Sequence, residues 1–215
     1  MHVDQLNQNE IEAAVCILKK HDPKLGEVID QIGPCRLERR AQGLAALAYS
    51  VIGQQLSNSS TRAIRFKFDT LFENDGFSPQ RLAETSKEEL RKAGLSLAKA
   101  RCLHSLAEHV LSGKINLLKL EEIDDEAVIS TLTQVKGIGR WTAEMYLMFS
   151  LGRLDVFPID DFAIRTAMLC IYDFPEAGFI PQARQTADRW RPYRSIACWY
   201  LYRYLGMLRS NKRQA

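Results

Sequence analysis

The sequence lacks the features that mark membrane and secreted proteins. No apolar run approaches the length of a membrane-spanning helix. The polar start MHVDQLNQNE does not resemble a secretory signal. We therefore expect a cytoplasmic protein without contact to a membrane.

Paired cysteines are also missing. The five cysteines are odd in number, widely separated, and contain no CxxC pair. A zinc site, an iron–sulfur cluster and a disulfide framework therefore all lack support, and we expect reduced thiols. They are Cys16, Cys35, Cys102, Cys170 and Cys198.

The chain has no segments of alternating polarity, no internal repeat and no low-complexity linker. Caps, prolines and 3.6-residue periodicity instead divide it into successive helices, which predicts an all-α protein. With 215 residues and a hydrophobic fraction of 46%, it can form one domain of two helical lobes with a cleft between them. We place the lobes approximately at 42–155 and at 1–41 plus 156–215.

The positive charge is modest. A net charge of +3 permits nucleic-acid binding without showing it, because many enzymes have a similar balance.

The most informative stretch, LTQVKGIGRWTAEMYLMFSLGRLDVFPIDDFAI, begins at Leu132. Two helices flank the turn Gly137-Ile138-Gly139, where glycine allows a positive φ and close approach of another backbone. Backbone amides released by such a turn can bind a phosphate. Lys136 and Arg140 add charge, and Thr142 adds a hydroxyl. An ordinary helix–loop–helix corner is the alternative interpretation.

Two further polar groups lie outside this turn. Asp160 and Asp161 precede a helix, where aspartate is a common N-cap and where the helix dipole favours the anion. A carboxylate there could also stabilise a developing sugar cation. Gly53-Gln54-Gln55-Leu56-Ser57 ends a helix with side chains that could bind base edges or fill a gap in a base stack. Alternatively, it is simply a polar helix end.

Taken in order, the segments QQLS, GIGRWTAEM, VFPIDDFAIR and RWRPYRSIACWYLYRY resemble the helix-hairpin-helix (HhH-GPD) DNA glycosylases. Within that superfamily the chain looks most like the 3-methyladenine DNA glycosylase II branch, which removes alkylated bases. The resemblance covers nearly the whole chain from about residue 40. It implies the helix-hairpin-helix glycosylase fold with a DNA-binding cleft between the lobes.

The resemblance also implies roles at the candidate active site. Asp161 would be the catalytic carboxylate, and Asp160 a cap or a supporting charge. Trp141 and Tyr202 would line the base pocket. Met145 also falls in that pocket, at a position where some relatives carry a tyrosine.

On the DNA side, the resemblance gives Gln55 as the wedge residue, meaning the side chain that fills the space left by the extruded base. It places Ser57 near the minor groove. The full predicted DNA-binding set is Gln54, Gln55, Ser57, Lys136, Gly137, Gly139, Arg140 and Thr142. The carbonyls of Thr133, Val135 and Ile138 could hold a structural Na⁺ or K⁺, and no cofactor is expected for catalysis.

Two departures within the superfamily predict the reaction type. Members that also cut the strand carry a lysine where this chain has Trp141, so no Schiff base can form there. Lys136 is close in sequence but enters the turn from the wrong side. The iron–sulfur cysteines of some relatives are also missing. We therefore expect a monomeric, monofunctional hydrolase acting on double-stranded DNA with alkylated bases, nucleoid-associated when bound. A non-catalytic helix-hairpin-helix DNA-binding protein is the alternative, and a helical interaction scaffold ranks last.

Overall fold

The computed structural model describes residues 7–39, 42–56, 58–73, 76–175 and 177–214. About 70% of the chain is helical, and no strand occurs in these ranges, which confirms the all-α prediction. Within the same ranges, no helix combines the length and the apolar character needed to cross a membrane.

Twelve α-helices follow one another along the described chain. They are α1 Gln8–His21, α2 Pro23–Ile32, α3 Gly43–Gly53, α4 Asn58–Thr70, α5 Pro79–Glu84, α6 Lys87–Lys92, α7 Leu97–Leu111, α8 Asp125–Thr133, α9 Arg140–Tyr146, α10 Phe162–Tyr172, α11 Phe179–Asp188 and α12 Arg194–Gln214. A 3₁₀ turn at Leu117–Glu121 precedes α8, and a π-helical turn at Leu147–Leu151 continues α9.

The helices belong to two compact units. The terminal unit comprises residues 1–39 and 152–215, and in it the long helix α12 packs against α10, α2 and α1. Its core includes the fully buried side chains Trp190, Tyr200, Leu18 and Leu25.

The hairpin unit comprises residues 40–151. Here α7 packs against α5, α6 and α3, while α9 packs against α3 and α8. Fully buried Leu47, Leu103 and Tyr146 lie in its core. The two-glycine turn, Gly137-Ile138-Gly139, connects α8 to α9 in this unit.

Local caps explain most of the helix starts. The Asp22 side chain accepts from the Leu25 amide ahead of α2, and Ser86 and Glu89 form a capping box at the start of α6. A proline suits the first turn of a helix, so Pro192 predicts the start of the last helix, but this prediction is wrong, because α12 begins at Arg194. The chain first makes a turn in which the Tyr193 amide donates to the Trp190 carbonyl at 2.7 Å.

Candidate active site

Gly137 is a glycine that the fold itself requires. Its φ of +101° lies in the left-handed region, and a Cβ there would come within 2.9 Å of Cys102 Cβ and 3.0 Å of Cys102 Sγ. Next to it, Ile138 is buried and its amide donates to the Val135 carbonyl at 3.0 Å. The turn is therefore fixed from below by packing on α7.

Gly139 is different. Its φ of −95° suits any residue, and a Cβ added there would meet no heavy atom within 4 Å. Gly139 occupies the N-cap position of α9, where no side chain accepts from the helix amides. Packing within the protein therefore does not explain the glycine at this position. The approach of an anion to the amides at the N-terminus of α9 would explain it.

The two charges beside the turn have different surroundings. Lys136 is exposed. The Arg140 guanidinium pairs with Glu126 through both terminal nitrogens, and its Nε donates to Glu144 Oε1 at 3.1 Å. The hydrogen bond from Arg140 lowers the pKa of the Glu126 carboxyl. Sequence reasoning treated Arg140 as a charge available to phosphate, but two carboxylates already offset it.

Gln54 and Thr142 hold the end of α3 to the turn. The Gln54 Nε2 group donates to Thr142 Oγ1 at 2.9 Å and to the Gly137 carbonyl at 3.1 Å. Thr142 is only 2% exposed. Both side chains thus serve the hairpin itself, and their contact with DNA stays a prediction.

Gln55 follows α3 as an exposed residue in the left-handed region, with φ +55°. The carbonyls of Ile52 and Gln54 before it each accept from Lys99 Nζ at 2.8 Å. Sequence reasoning missed Lys99, because its partners lie more than 40 residues away in the chain. Ser57 lies outside the described residues.

In the terminal unit, Asp161 is a buried carboxylate, 6% exposed. Its Oδ1 accepts from the amides of Ala163 at 2.7 Å and Ile164 at 2.9 Å, which makes it the N-cap of α10. The Tyr202 hydroxyl donates to Oδ2 at 3.1 Å. One oxygen therefore caps the helix, and the other meets a phenol.

Of the two roles expected for Asp160, a cap or a supporting charge, the first is wrong, because Asp161 is the N-cap of α10. Asp160 is exposed, because the chain makes a further turn after Pro158, whose carbonyl accepts from the Asp161 amide at 3.0 Å. The resemblance predicts Tyr202 only as a residue that lines the base pocket, and no local pattern in the sequence indicates its hydroxyl contact with Asp161.

The remaining predicted residues are distributed over both units. Trp141 and Met145 lie one turn apart on α9 of the hairpin unit, each partly buried, whereas Tyr202 lies on α12 of the terminal unit. Of the three carbonyls predicted to hold a cation, that of Val135 also accepts from the Ile138 amide. Its second lone pair keeps it a suitable oxygen ligand for Na⁺ or K⁺.

The fold and the site define a helix-hairpin-helix protein with a buried carboxylate at a helix N-terminus. The family model of the HhH-GPD superfamily base excision DNA repair protein matches residues 48–190, and the chain belongs to this family. The resemblance stated from the sequence motifs is thereby confirmed.

Three of the matches, two relatives and one solved structure, come from Schizosaccharomyces pombe. The alkylbase DNA glycosidase-like protein mag2 is 31% identical over 190 residues, 86% of this chain and 89% of the relative. DNA-3-methyladenine glycosylase 1 is 33% identical over 182 residues, 84% of this chain and 80% of the relative. The structure of 3-methyladenine DNA glycosylase (Mag1) in complex with abasic DNA matches with a TM-score of 0.82 at 32% identity, covering 88% of this chain and 95% of that chain.

Proposed function

We propose that the protein is a monofunctional DNA glycosylase of base excision repair, which hydrolyses the N-glycosidic bond of alkylated purines of the 3-methyladenine and 7-methylguanine type after base flipping. The observation that carries the proposal is Asp161: a buried carboxylate, held by two helix amides and a phenol, within the part of the chain that matches the family. Family membership and the names of the relatives support the same reaction.

One carboxylate suffices for this chemistry. Glycosidases generally use two carboxyl groups, one of which protonates the leaving group at an oxocarbenium-like transition state. A purine alkylated at N3 or N7 already carries a positive charge and leaves as a neutral base, so it needs no general acid. Asp161 then supplies the negative charge that stabilises the sugar cation, orients the attacking water, or both.

The hairpin unit provides the proposed grip on DNA. Exposed amides at Gly139 and the charge of Lys136 would bind phosphate, while Gln55 would fill the space left by the extruded base. Trp141 and Met145, which lie one turn apart on α9, would contact the extruded base. Stacking on an aromatic face favours a cationic purine.

The test is release of free bases from methylated duplex DNA, with the products identified by chromatography. Wild-type protein should release 3-methyladenine. Asp161→Asn retains an oxygen for the two helix amides but removes the charge, so release should fall by orders of magnitude while DNA binding persists. Asp160→Asn is the matched control, because it removes one charge at an exposed neighbour and should leave release near normal.

Trp141 at the lysine position of strand-cleaving relatives supports hydrolysis without strand cleavage. Borohydride should trap no protein–DNA complex, and strands should break only after alkali.

The proposal also includes a monomer, a cytoplasmic location with nucleoid association when DNA is bound, and a monovalent cation on the carbonyls of Thr133, Val135 and Ile138. Exchanging K⁺ for a bulky organic cation at constant ionic strength should then weaken DNA binding.

A non-catalytic DNA-binding protein is the second candidate, favoured by one observation: Asp161 Oδ1 is fully explained as a helix cap. Under that alternative, wild-type protein would bind duplex DNA without releasing any methylated base. Asp161→Asn would then change nothing but stability.

A further inference from the structure

Lys99 lies where its own helix does not favour it. It is the third residue of α7, and a cation in the first turn opposes the positive end of the helix dipole. Partial burial also lowers the pKa of its amine, because desolvation disfavours the charged form. The stability of α7 therefore does not explain this residue.

Its contacts lie at the other end of another helix. Lys99 Nζ donates at 2.8 Å to the carbonyls of both Ile52 and Gln54, where α3 ends. Carbonyls at a helix C-terminus have no partner within the helix and carry its partial negative charge, so a cation there is stabilising. Lys99 thus acts as a side-chain cap for the C-terminal carbonyls of α3.

Gln54 also holds the C-terminal end of α3, through its side chain. While its carbonyl accepts from Lys99, its side-chain amide donates to the Gly137 carbonyl and to Thr142 Oγ1. The end of α3 is thereby joined to α7 and to the two-glycine turn at once. The residue that follows, Gln55, is held in the left-handed region that a non-glycine side chain seldom adopts.

We propose that Lys99 and Gln54 are positioning residues. Through them, the turn that grips phosphate also sets the place of Gln55, the wedge residue. The inference rests on the proposed function, because it takes from it the role of Gln55. It adds a structural link within the hairpin unit. When the two-glycine turn binds the DNA phosphate backbone, this link fixes the position at which Gln55 contacts the base stack.

The test measures equilibrium binding of the full chain to two duplexes of identical sequence, one undamaged and one with a tetrahydrofuran abasic analogue. An abasic site leaves a gap that Gln55 can fill, so wild-type protein should prefer that duplex. Gln55→Ala should lose most of the preference. Lys99→Met and Gln54→Leu should each lower it by about tenfold, the effect of losing hydrogen bonds from a charged or partly buried group. Lys99→Met, which changes no residue of the predicted DNA-binding set, should leave the affinity for undamaged DNA nearly unchanged.

A double-mutant cycle separates a positioning role of Lys99 from a nonspecific effect of the substitution on the protein structure. If Lys99 acts through Gln55, Lys99→Met should lower the preference no further in a protein that already carries Gln55→Ala. The matched control is Lys87→Met, which removes an exposed lysine from the first turn of α6 and should leave the preference unchanged. Thermal unfolding checks that each variant is folded. If Lys99→Met does not fold, Gln54→Leu tests the same link.

Three outcomes would overturn the inference: an unchanged preference in both single variants, an equal loss with and without Gln55, or a wild-type protein that binds both duplexes equally. The proposed function is judged separately, by release of methylated bases from the wild-type protein. A protein that releases bases while failing the cycle refutes the positioning role alone. If the double-mutant cycle gives the expected result but the wild-type protein releases no base, the proposed enzymatic activity alone is refuted.

Discussion

The two glycines of the turn should respond to substitution in opposite ways. Gly137→Ala would place an alanine at φ +101° with its Cβ 2.9 Å from Cys102 Cβ. The left-handed conformation costs an L-residue about 1–2 kcal/mol and overpacking about 1–3 kcal/mol, so we expect a loss of about 2–5 kcal/mol. For a chain of this length, that lowers the Tm by roughly 4–20 °C.

Gly139→Ser is the matched partner. Its backbone and the open space around it accept a side chain, and serine at an N-cap changes stability by only a few tenths of a kcal/mol relative to glycine. The serine hydroxyl would, however, accept from an amide that a phosphate is proposed to use. DNA affinity should therefore fall while the fold is retained or slightly stabilised.

Thermal unfolding and DNA binding, measured on both variants, check this pair of expectations. Loss of affinity in Gly139→Ser should be equal for damaged and undamaged duplexes, because phosphate contacts carry no base information. A Gly137→Ala protein as stable as wild type would refute the packing argument. Unchanged affinity in Gly139→Ser would show that its amides do not bind phosphate.

Three more predictions concern charge and the base pocket. Lys136→Gln should reduce the slope of log affinity against log salt by about 1, whereas Arg140→Gln should change it less, because two glutamates already pair with Arg140. Tyr202→Phe should slow base release about tenfold by removing one hydrogen bond to Asp161, the proposed catalytic carboxylate, with affinity for abasic DNA unchanged. Trp141→Ala should slow excision of 3-methyladenine more than that of a neutral lesion, and an unchanged ratio of the two rates in a folded variant would assign Trp141 to packing alone.

The helix starts could be predicted because their signals are local. Ser78 accepts from the amide of Arg81, and Asp124 from that of Ala127, each three residues on. A cap and its partner therefore always appear together in the sequence. The same holds for Gly137, whose positive φ follows from a turn between two periodic segments.

The site contacts could not be predicted, because they join residues distant in the chain. Gln54 meets the turn across more than 80 residues, and nothing near Gln54 indicates this partner. Arg140 is an intermediate case. Its bond to Glu144 has the i,i+4 spacing of a helix pair and could have been foreseen, whereas its pairing with Glu126 required the packing of α8 on α9.

Asp22 shows why burial and capping alone do not identify a catalytic carboxylate. Like Asp161, it is a buried N-cap in the terminal unit, 1% exposed, with one oxygen bound by the Leu25 amide. Its other oxygen accepts from the Tyr172 hydroxyl and from Trp190 Nε1, both at 2.9 Å. Asp22 also lies outside residues 48–190, the part that matches the family.

The partners of the two aspartates predict different consequences of the same substitution. In Asp22→Asn the new amide would face either Trp190 Nε1 or the Leu25 amide, and both are donors only, so one buried donor stays unpaired at about 1–3 kcal/mol. In Asp161→Asn the oxygen can remain with the helix amides while the new NH₂ faces the Tyr202 hydroxyl, which can accept as well as donate. Asp22→Asn should therefore lower the Tm with little effect on the rate of base release by the folded protein, and Asp161→Asn should do the reverse. A Tm loss in Asp161→Asn as large as that in Asp22→Asn, with base release retained, would assign both carboxylates to the fold alone.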